Sequence, residues 1–403
     1  MKNKTVSKDS VQIANVHSVR GMLQTIFQKY SMYIFLIFIM IIFQVLTDGV
    51  LLRPLNLTNV ILQNSYILIL AIGMVMLIIL GDIDLSVGSI AAFIGALSAI
   101  LTINMNIPTI LAIFICLITG LVIGAFHGFW VAFVKVPAFI ATLAGMLIFR
   151  GLTIVMLDGK SLSPFPKSFQ LISSGFLPDY FQGEDVHWLS IVLGFLVGGF
   201  CLYFSYRRRR KYAALGFDSE PVLRFFVRQC FVFLLICWFT MTMASYEGFP
   251  NVLVLLVMLV VIYHFITNKT VIGRSIYATG GNEKAALLSG IGTKKIRLLM
   301  FMNMGMLSAI AGLVFSARLN AATATAGNGF ELDAIAACYI GGASAYGGIG
   351  TVLGAIIGGL VMGVLNNGMS LLGVGADWQQ AIKGLVLLLA VAFDIYNKNK
   401  AGG

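Results

Sequence analysis

The stretch Gly81-Asp82-Ile83-Asp84-Leu85-Ser86-Val87-Gly88-Ser89 sets two carboxylates, one residue apart, between long apolar runs. A charge at the middle of a bilayer costs about 2.5–3.5 kcal/mol even on the lenient insertion scale. Asp82, Asp84 and Ser86 therefore belong at an interface, a helix end or a polar cavity. Asp84 or Ser86 can accept from the free backbone N–H groups that open the next helix. The same residues can also line a path for a polar solute. An Asp-x-Asp metal site would want further carboxylates nearby, and the sequence offers no such cluster. A second acidic segment, Glu331-Leu332-Asp333, stands before another apolar run. Asn64, Asn303, Asn366 and Asn367 lie in or beside apolar runs, with Gln63 and Asn320, and amides so placed want partners: they bond between helices or form a polar path for a hydroxylated solute. His127 and His264 are lone histidines in apolar runs and read as core or interface residues, and no Ser/His/Asp or Cys/His combination is visible.

The segment Gly280-Gly281-Asn282-Glu283-Lys284-Ala285-Ala286-Leu287-Leu288-Ser289-Gly290-Ile291 has a different character. Asn282 can cap a short helix, and Glu283 is favourable in its first turn. Ala285, Ala286, Leu287 and Leu288 supply helix propensity and an apolar face, and Gly290 can stop the helix. The pattern predicts a helix of about two turns among basic residues. It is either a solvated connector or an element that docks into a soluble partner. A small Ala285-Ala286 face is wasted on water, which favours docking. The glycines at 341, 342, 347, 348 and 350 lack the preceding strand and the Lys-Ser/Thr of a phosphate loop. Nucleotide binding by this chain is thereby disfavoured, no cofactor is expected, and a hinge between half-helices fits the run better.

The elements that carry these residues follow from composition. Of 403 residues, 59% are hydrophobic and 11% charged, against about a quarter charged in soluble domains. With long apolar runs and a mean hydropathy of +0.94, this excludes a soluble enzyme, a disordered regulator and a nucleic-acid binder. The net charge of +11 marks one side of a membrane and not a polyanion partner. Spans are expected at 31–49, 58–80, 88–105, 108–133, 137–157, 188–205, 226–244, 250–267, 297–317, 351–372 and 379–396, with a short ambiguous one at 332–345. Basic clusters at the N-terminus, at 207–211 and at 269–297 fall on the inner side, and the acidic loop 158–187 falls outside. Lys398 and Lys400 come inside only if 332–345 crosses, so the expectation is twelve spans with both termini cytoplasmic. The five cysteines lack metal or disulfide spacing and read as small buried hydrophobes. The first span lacks a cleavage site and reads as retained.

The chain thus divides into a tail, 1–30, a transmembrane domain, 31–397, and a tail, 398–403. The fold class is all-α: a polytopic integral membrane protein of about twelve helices, some short or broken. A weak internal echo adds inverted repeats. Gly120, Gly124 and Gly128 in one span match Gly350, Gly354 and Gly358 in another, and each stripe follows an acidic segment. Such repeats flank the path in transporters; glycine stripes alone also serve as packing surfaces.

The segments at 81–89 and 281–291, with Val136-Pro137-Ala138-Phe139-Ile140-Ala141-Thr142-Leu143, Glu331-Leu332-Asp333-Ala334-Ile335-Ala336-Ala337 and Gly363-Val364-Leu365-Asn366-Asn367-Gly368, together resemble permeases of bacterial ABC monosaccharide importers, the family of the ribose, xylose and galactose permeases. The motifs keep family order from about residue 30 onward. Phe149-Arg150-Gly151-Leu152-Thr153, Pro164-Phe165-Pro166-Lys167-Ser168-Phe169 and Asp377-Trp378-Gln379-Gln380-Ala381 resemble the multiple-monosaccharide subgroup. Residues 188–249 depart from the shorter ribose-type pattern as a two-span insertion, similar to longer xylose-type members. The resemblance implies a permease in the inner membrane, paired with a second copy as a homodimer. A periplasmic sugar-binding protein docks outside, and an ABC ATPase subunit grips Gly281, Asn282, Glu283, Ala285, Ala286 and Gly290 within the cytoplasmic loop 268–296. ATP hydrolysis then belongs to the partner, so the chain is no enzyme itself. The candidate path is Asn64, Asp82, Asp84, Ser86, Asn303, Glu331, Asp333, Asn366 and Asn367. The alternatives are the same layout importing a branched-chain amino acid or nucleoside, and a stand-alone secondary transporter.

Overall fold

The computed structural model describes residues 19–180, 186–215 and 221–401. Lys2, Lys4 and Lys8 of the N-terminal tail, Glu184 and Asp185 of the acidic loop, and residues 402–403 lie outside the described residues.

The described chain is helical, with two isolated β-bridges, Leu162 to Ala322 and Phe176 to Pro250. Its helices are α1 (Val19–Leu46), α2 (Pro54–Leu80), α3 (Val87–Ala99), α4 (Thr109–Phe129), α5 (Ala138–Leu157), α6 (Lys167–Gln170), α7 (Trp188–Ala214), α8 (Val222–Ala244), α9 (Asn251–Lys269), α10 (Val271–Gly281), α11 (Glu283–Leu288), α12 (Thr293–Leu319), α13 (Phe330–Ile340), α14 (Val352–Leu371) and α15 (Ala376–Ala401). Short π-helical turns, Ile100–Asn104 and Trp130–Val134, extend α3 and α4. Proline sets many of the boundaries. It stands at N1 of α2 and directly before α4, α5, α6, α8 and α9, where its fixed φ suits a helix start and its missing N–H is no loss.

Each of the twelve expected spans coincides with a helix. Among the described residues, nine helices are long and apolar enough to cross a bilayer. The apolar part of α1, Met32–Leu46, is shorter. α13 has 11 residues and at about 1.5 Å per residue covers half of a hydrocarbon core; the ten residues before it are not α-helical. The expected span 332–345 is therefore a half-helix. The expected span 188–205 is also extended: Arg207, Arg208, Arg209 and Arg210, just past its end, continue α7 as helix. Arginine is a good helix former, and the Arg209 guanidinium lies 4.7 Å from the Phe225 ring centre on α8. Cys116 and Cys338 are buried, whereas Cys201 and Cys230 are exposed on α7 and α8, so they are not the buried hydrophobes the sequence suggested.

The core is built around α2, which has no polar face to turn to solvent and is buried on all sides. α12, α13 and α14 pack on it, together with α9 and α10, and the wider pattern is interlocked. α12 packs on α3 and α4, and α2 packs on α13 and α14; α5 packs on α3, and α15 on α13; α2 and α12 pack on each other. The units α2–α5 and α12–α15 thus make equivalent contacts with their helices exchanged. The glycine stripes do not follow that equivalence. A Cβ on Gly120 or Gly124 would overlap the α12 backbone at Gly305 or Phe301, whereas one on Gly354 or Gly358 would overlap α13 at Gly341 or Ala337. The α14 glycines that face α2 are Gly359 and Gly363. The stripe paired with α4 by sequence was therefore the wrong one: both are close-packing surfaces, on different faces. α7 and α8 stand at the periphery, packed chiefly on each other.

Candidate functional site

α2 ends at Gly81 in the left-handed conformation, φ 84°, and six residues lead to α3. Asp84 Oδ1 accepts from the Ser86 backbone N–H at 2.8 Å and from the Ser86 hydroxyl at 2.5 Å. Asp84 thus caps the turn, while Ser86, at the N-cap of α3, gives no side-chain cap of its own. Ser86 Oγ also lies 3.3 Å from Nδ1 of the buried His127 on α4. The fold therefore brings Asp84, Ser86 and His127 together, which residues 41 positions apart did not reveal in sequence. The order of contacts is not that of a nucleophile: the hydroxyl donates to the carboxylate.

The second acidic segment meets the first. Gly88 and Gly327 pack backbone to backbone, and a Cβ on Gly88 would overlap both the Gly327 carbonyl oxygen and Glu331 Oε2. The starts of α3 and α13 thus cross where only glycine fits. Arg150 of α5 donates to the Ala326 carbonyl at 2.5 Å and acts electrostatically on Glu331. Asp333, buried, pairs with Lys383 of α15 at 3.2 Å. Phe330 stacks on Tyr66, ring centres 4.0 Å apart, with Phe315 edge-on to Tyr66 at 5.1 Å. Around this crossing Ser89 Oγ, His127 Nε2 and Glu331 Oε2 are buried with no hydrogen-bond partner among the described residues. Leaving such an atom unpaired costs about 1–3 kcal/mol, so three at one place are a feature of the site.

The amides do not join this cluster. Asn367 exchanges two bonds with Asn56 at 2.8 and 3.1 Å, tying α14 to α2. Asn303 accepts from the Tyr263 hydroxyl, tying α12 to α9. Asn64 donates to Val60 O within its own helix at 2.8 Å and packs against Gly363. Asn366 Oδ1 is buried without a partner among the described residues. Asn320 stops α12, φ 53°, and accepts from Phe165 N at 2.8 Å.

Asp82 lies elsewhere, at an end rich in cations. It lines a cavity of about 950 Å³ together with Lys135, Glu283, Lys294, Lys295 and Arg297. Arg297 holds Asp82 at 2.6 Å and Glu283 at 3.0 Å. Burial pushes the Asp82 carboxyl up, and the Arg297 guanidinium pulls it back down. Asn282 caps α11, its Oδ1 accepting from Ala285 N at 3.0 Å. Gly290, φ 83°, follows the helix, and the Ile291 N–H closes back on Ala286 O at 3.0 Å. Ala285 is exposed, but Ala286 is buried; the apolar atoms offered to solvent are those of Leu287 and Leu288. An i-to-i+1 pair cannot share one helix face, which is why the Ala285-Ala286 face divides. Gly281 is exposed at the link between α10 and α11.

Sequence reasoning passed over Arg150, Lys383, Asn56, His127 as a partner of Ser86, and Arg297 as a bridge. Arg150 and Lys383 carried a readable signal: each is a lone cation inside an apolar run, where ionisable groups mark sites. Asn56 carried none, its partner being 311 residues away, and the Arg297 link to Asp82 spans 215 residues, although Glu283 is only 14 away.

Nine long apolar helices among the described residues, six of them within two interlocked four-helix units, with broken helices crossing inside, define a polytopic membrane protein of the transporter kind. Residues 56–391 match the family of permease components of branched-chain amino acid transport systems, and the chain belongs to that family. It is 41% identical to the xylose transport system permease protein XylH of Haemophilus influenzae over 93% of this chain and 97% of the relative. It is 40% identical to XylH of Escherichia coli over 93% of each chain. The ribose import permease protein RbsC of Bacillus subtilis is 35% identical over 92% of this chain and 93% of its own. No solved structure matches the chain.

Proposed function

We propose that the chain is the membrane-spanning permease of an ABC importer for monosaccharides, pentoses foremost. The observation that carries this reading is the 40–41% identity to xylose permeases over 93% of the chain. In this reading two copies form the pore in the inner membrane, with both termini and the loop 268–296 cytoplasmic. A periplasmic sugar-binding protein delivers the solute from outside. An ATPase subunit seats on Gly281, Asn282, Glu283, Ala285, Ala286 and Gly290, with the exposed Leu287 and Leu288 as its apolar contact and the cavity lined by Lys135, Lys294 and Lys295 beside it. The path runs past the α3–α13 crossing, where Asp84, Ser86, Ser89, His127 and Glu331 present polar atoms to a hydroxylated solute, three of them unpaired. Asn64, Asn303 and Asn367 serve helix packing more than solute contact, because their amides are engaged between or within helices. Selection of the sugar then lies largely with the binding protein, and the path needs only weak polarity.

The test is uptake in vesicles containing the chain, its ATPase and its binding protein. Labelled D-xylose or D-ribose is expected to enter only with ATP and loaded binding protein. Ion-driven accumulation by this chain alone would overturn the proposal. Labelled leucine tests the second reading, an amino acid permease, which the description of the matching family favours.

A further inference from the structure

Arg297, near the start of α12, joins two segments far apart in the chain. Its Nε donates to Asp82 Oδ2 at 2.6 Å, and Nη1 and Nη2 donate to Glu283 Oε1 and Oε2 at 3.0 and 3.3 Å. A planar guanidinium can hold one carboxylate from the side while forking a second; an ammonium cannot reproduce that geometry. The Arg297 and Asp82 side chains are 17% and 11% exposed, so this pair is shielded from solvent ions.

The two carboxylates belong to elements with different freedom. The Asp82 N–H donates to Leu77 O at 2.9 Å, which fixes it to the last turn of α2 immediately before the Asp84 turn that starts α3. Glu283 opens α11. The other side-chain hydrogen bonds described for α11, Asn282 to Ala285 and Ser289 to Ala285, are internal to that segment. Among the described residues, Glu283 is therefore the one side-chain hydrogen-bond link between α11 and the bundle. α10, by contrast, is locked in place. Gly280 packs on the Ile79 backbone, and the Tyr277 hydroxyl donates to Gly350 O at 2.7 Å. A force on the exposed Leu287 and Leu288 thus acts on a short helix that swings from a fixed α10 and pulls on Arg297.

We propose that Arg297 is the positioning residue that passes displacement of α11 to the start of α3, so that a partner seated on α11 moves the helix that borders the path. This rests on the permease reading above. The experiment measures sugar uptake and ATP hydrolysis in the same vesicles, with the full complex and labelled D-xylose and D-ribose, and takes their ratio. Arg297→Gln is expected to leave the complex assembled and hydrolysis within about twofold, while sugar carried per ATP falls about tenfold. Arg297→Lys should fall in between. Asp82→Asn and Glu283→Gln should each lower the ratio, and the double variant should lower it no further than the worse single one. An unchanged ratio in assembled Arg297→Gln overturns the proposal, as does a parallel fall of uptake and hydrolysis, which a merely structural role would give. If Arg297→Gln yields no complex, additive losses for Asp82→Asn and Glu283→Gln overturn it. A wild-type complex that moves neither sugar refutes the permease reading instead, before any variant is made.

Discussion

Twice in this molecule a long helix stops in a left-handed residue, a non-helical stretch follows, and a new helix begins beside carboxylates: at Gly81 before α3 and at Asn320 before α13. Both breaks bring in cations from other helices, yet they are wired differently. At the first, Asp82 is held by Arg297 and through it reaches Glu283 on the exposed α11. At the second, Asp333 pairs inward with Lys383, and Glu331 keeps an unpaired oxygen against Gly88. One acidic start is connected to the surface; the other is closed within the bundle. In both places a carboxylate near a helix break meets a cation, and the difference lies in which helix supplies that cation.

Substitutions separate the two. The largest effect is expected where the starts cross. Gly88→Leu places a side chain into the Gly327 backbone, which cannot yield cheaply; no monodisperse protein should elute on size exclusion, while Gly151→Ala, which meets nothing within 4 Å, should elute as wild type. Asp333→Ala comes next. It leaves the half-buried Lys383 without its carboxylate, and because breaking a fully buried pair costs about 3–5 kcal/mol and an exposed one about 0–1 kcal/mol, a clear fall in melting temperature in detergent is expected. Glu331→Gln should have the smallest effect on stability and sharpen the contrast. Its Oε2 has no partner to lose, so the melting temperature should hold or rise slightly. On the proposed path, sugar uptake should fall several-fold because a charge is lost. A large drop in melting temperature for Glu331→Gln would show that this carboxylate is structural after all.

Much of the architecture was legible beforehand because lipid imposes a strong local rule. Every backbone group must be bonded within its own segment, so apolar runs between prolines and charges read directly as helices. The cap at Asn282 and the stop at Gly290 were legible for the same reason: each depends on residues within one turn. The half-helix α13 was visible only as ambiguity, since 11 residues satisfy neither a span nor a surface helix. The candidate path was read least well. Asp82, Asp84, Asn64, Asn303, Asn367 and Glu331 look alike in sequence, each a polar group in apolar surroundings, yet the fold assigns them a shielded ion bridge, a turn cap, a back-bonded amide, two interhelical ties and a carboxylate with one unpaired oxygen. The glycine stripes misled for a related reason: spacing of four says that a face is narrow, but not which helix comes to fill it.

The sequence by itself determined that this chain lives in a membrane, where most of its helices lie, and which family it belongs to. These depend on hydropathy, on local capping and on the order of motifs. The tertiary structure alone decided which carboxylate faces which cation and which backbones touch at glycine. The carboxylate–cation pairings join residues 14, 50 and 215 positions apart, and in a low-dielectric interior an ionised group is defined by the neighbour that neutralises it.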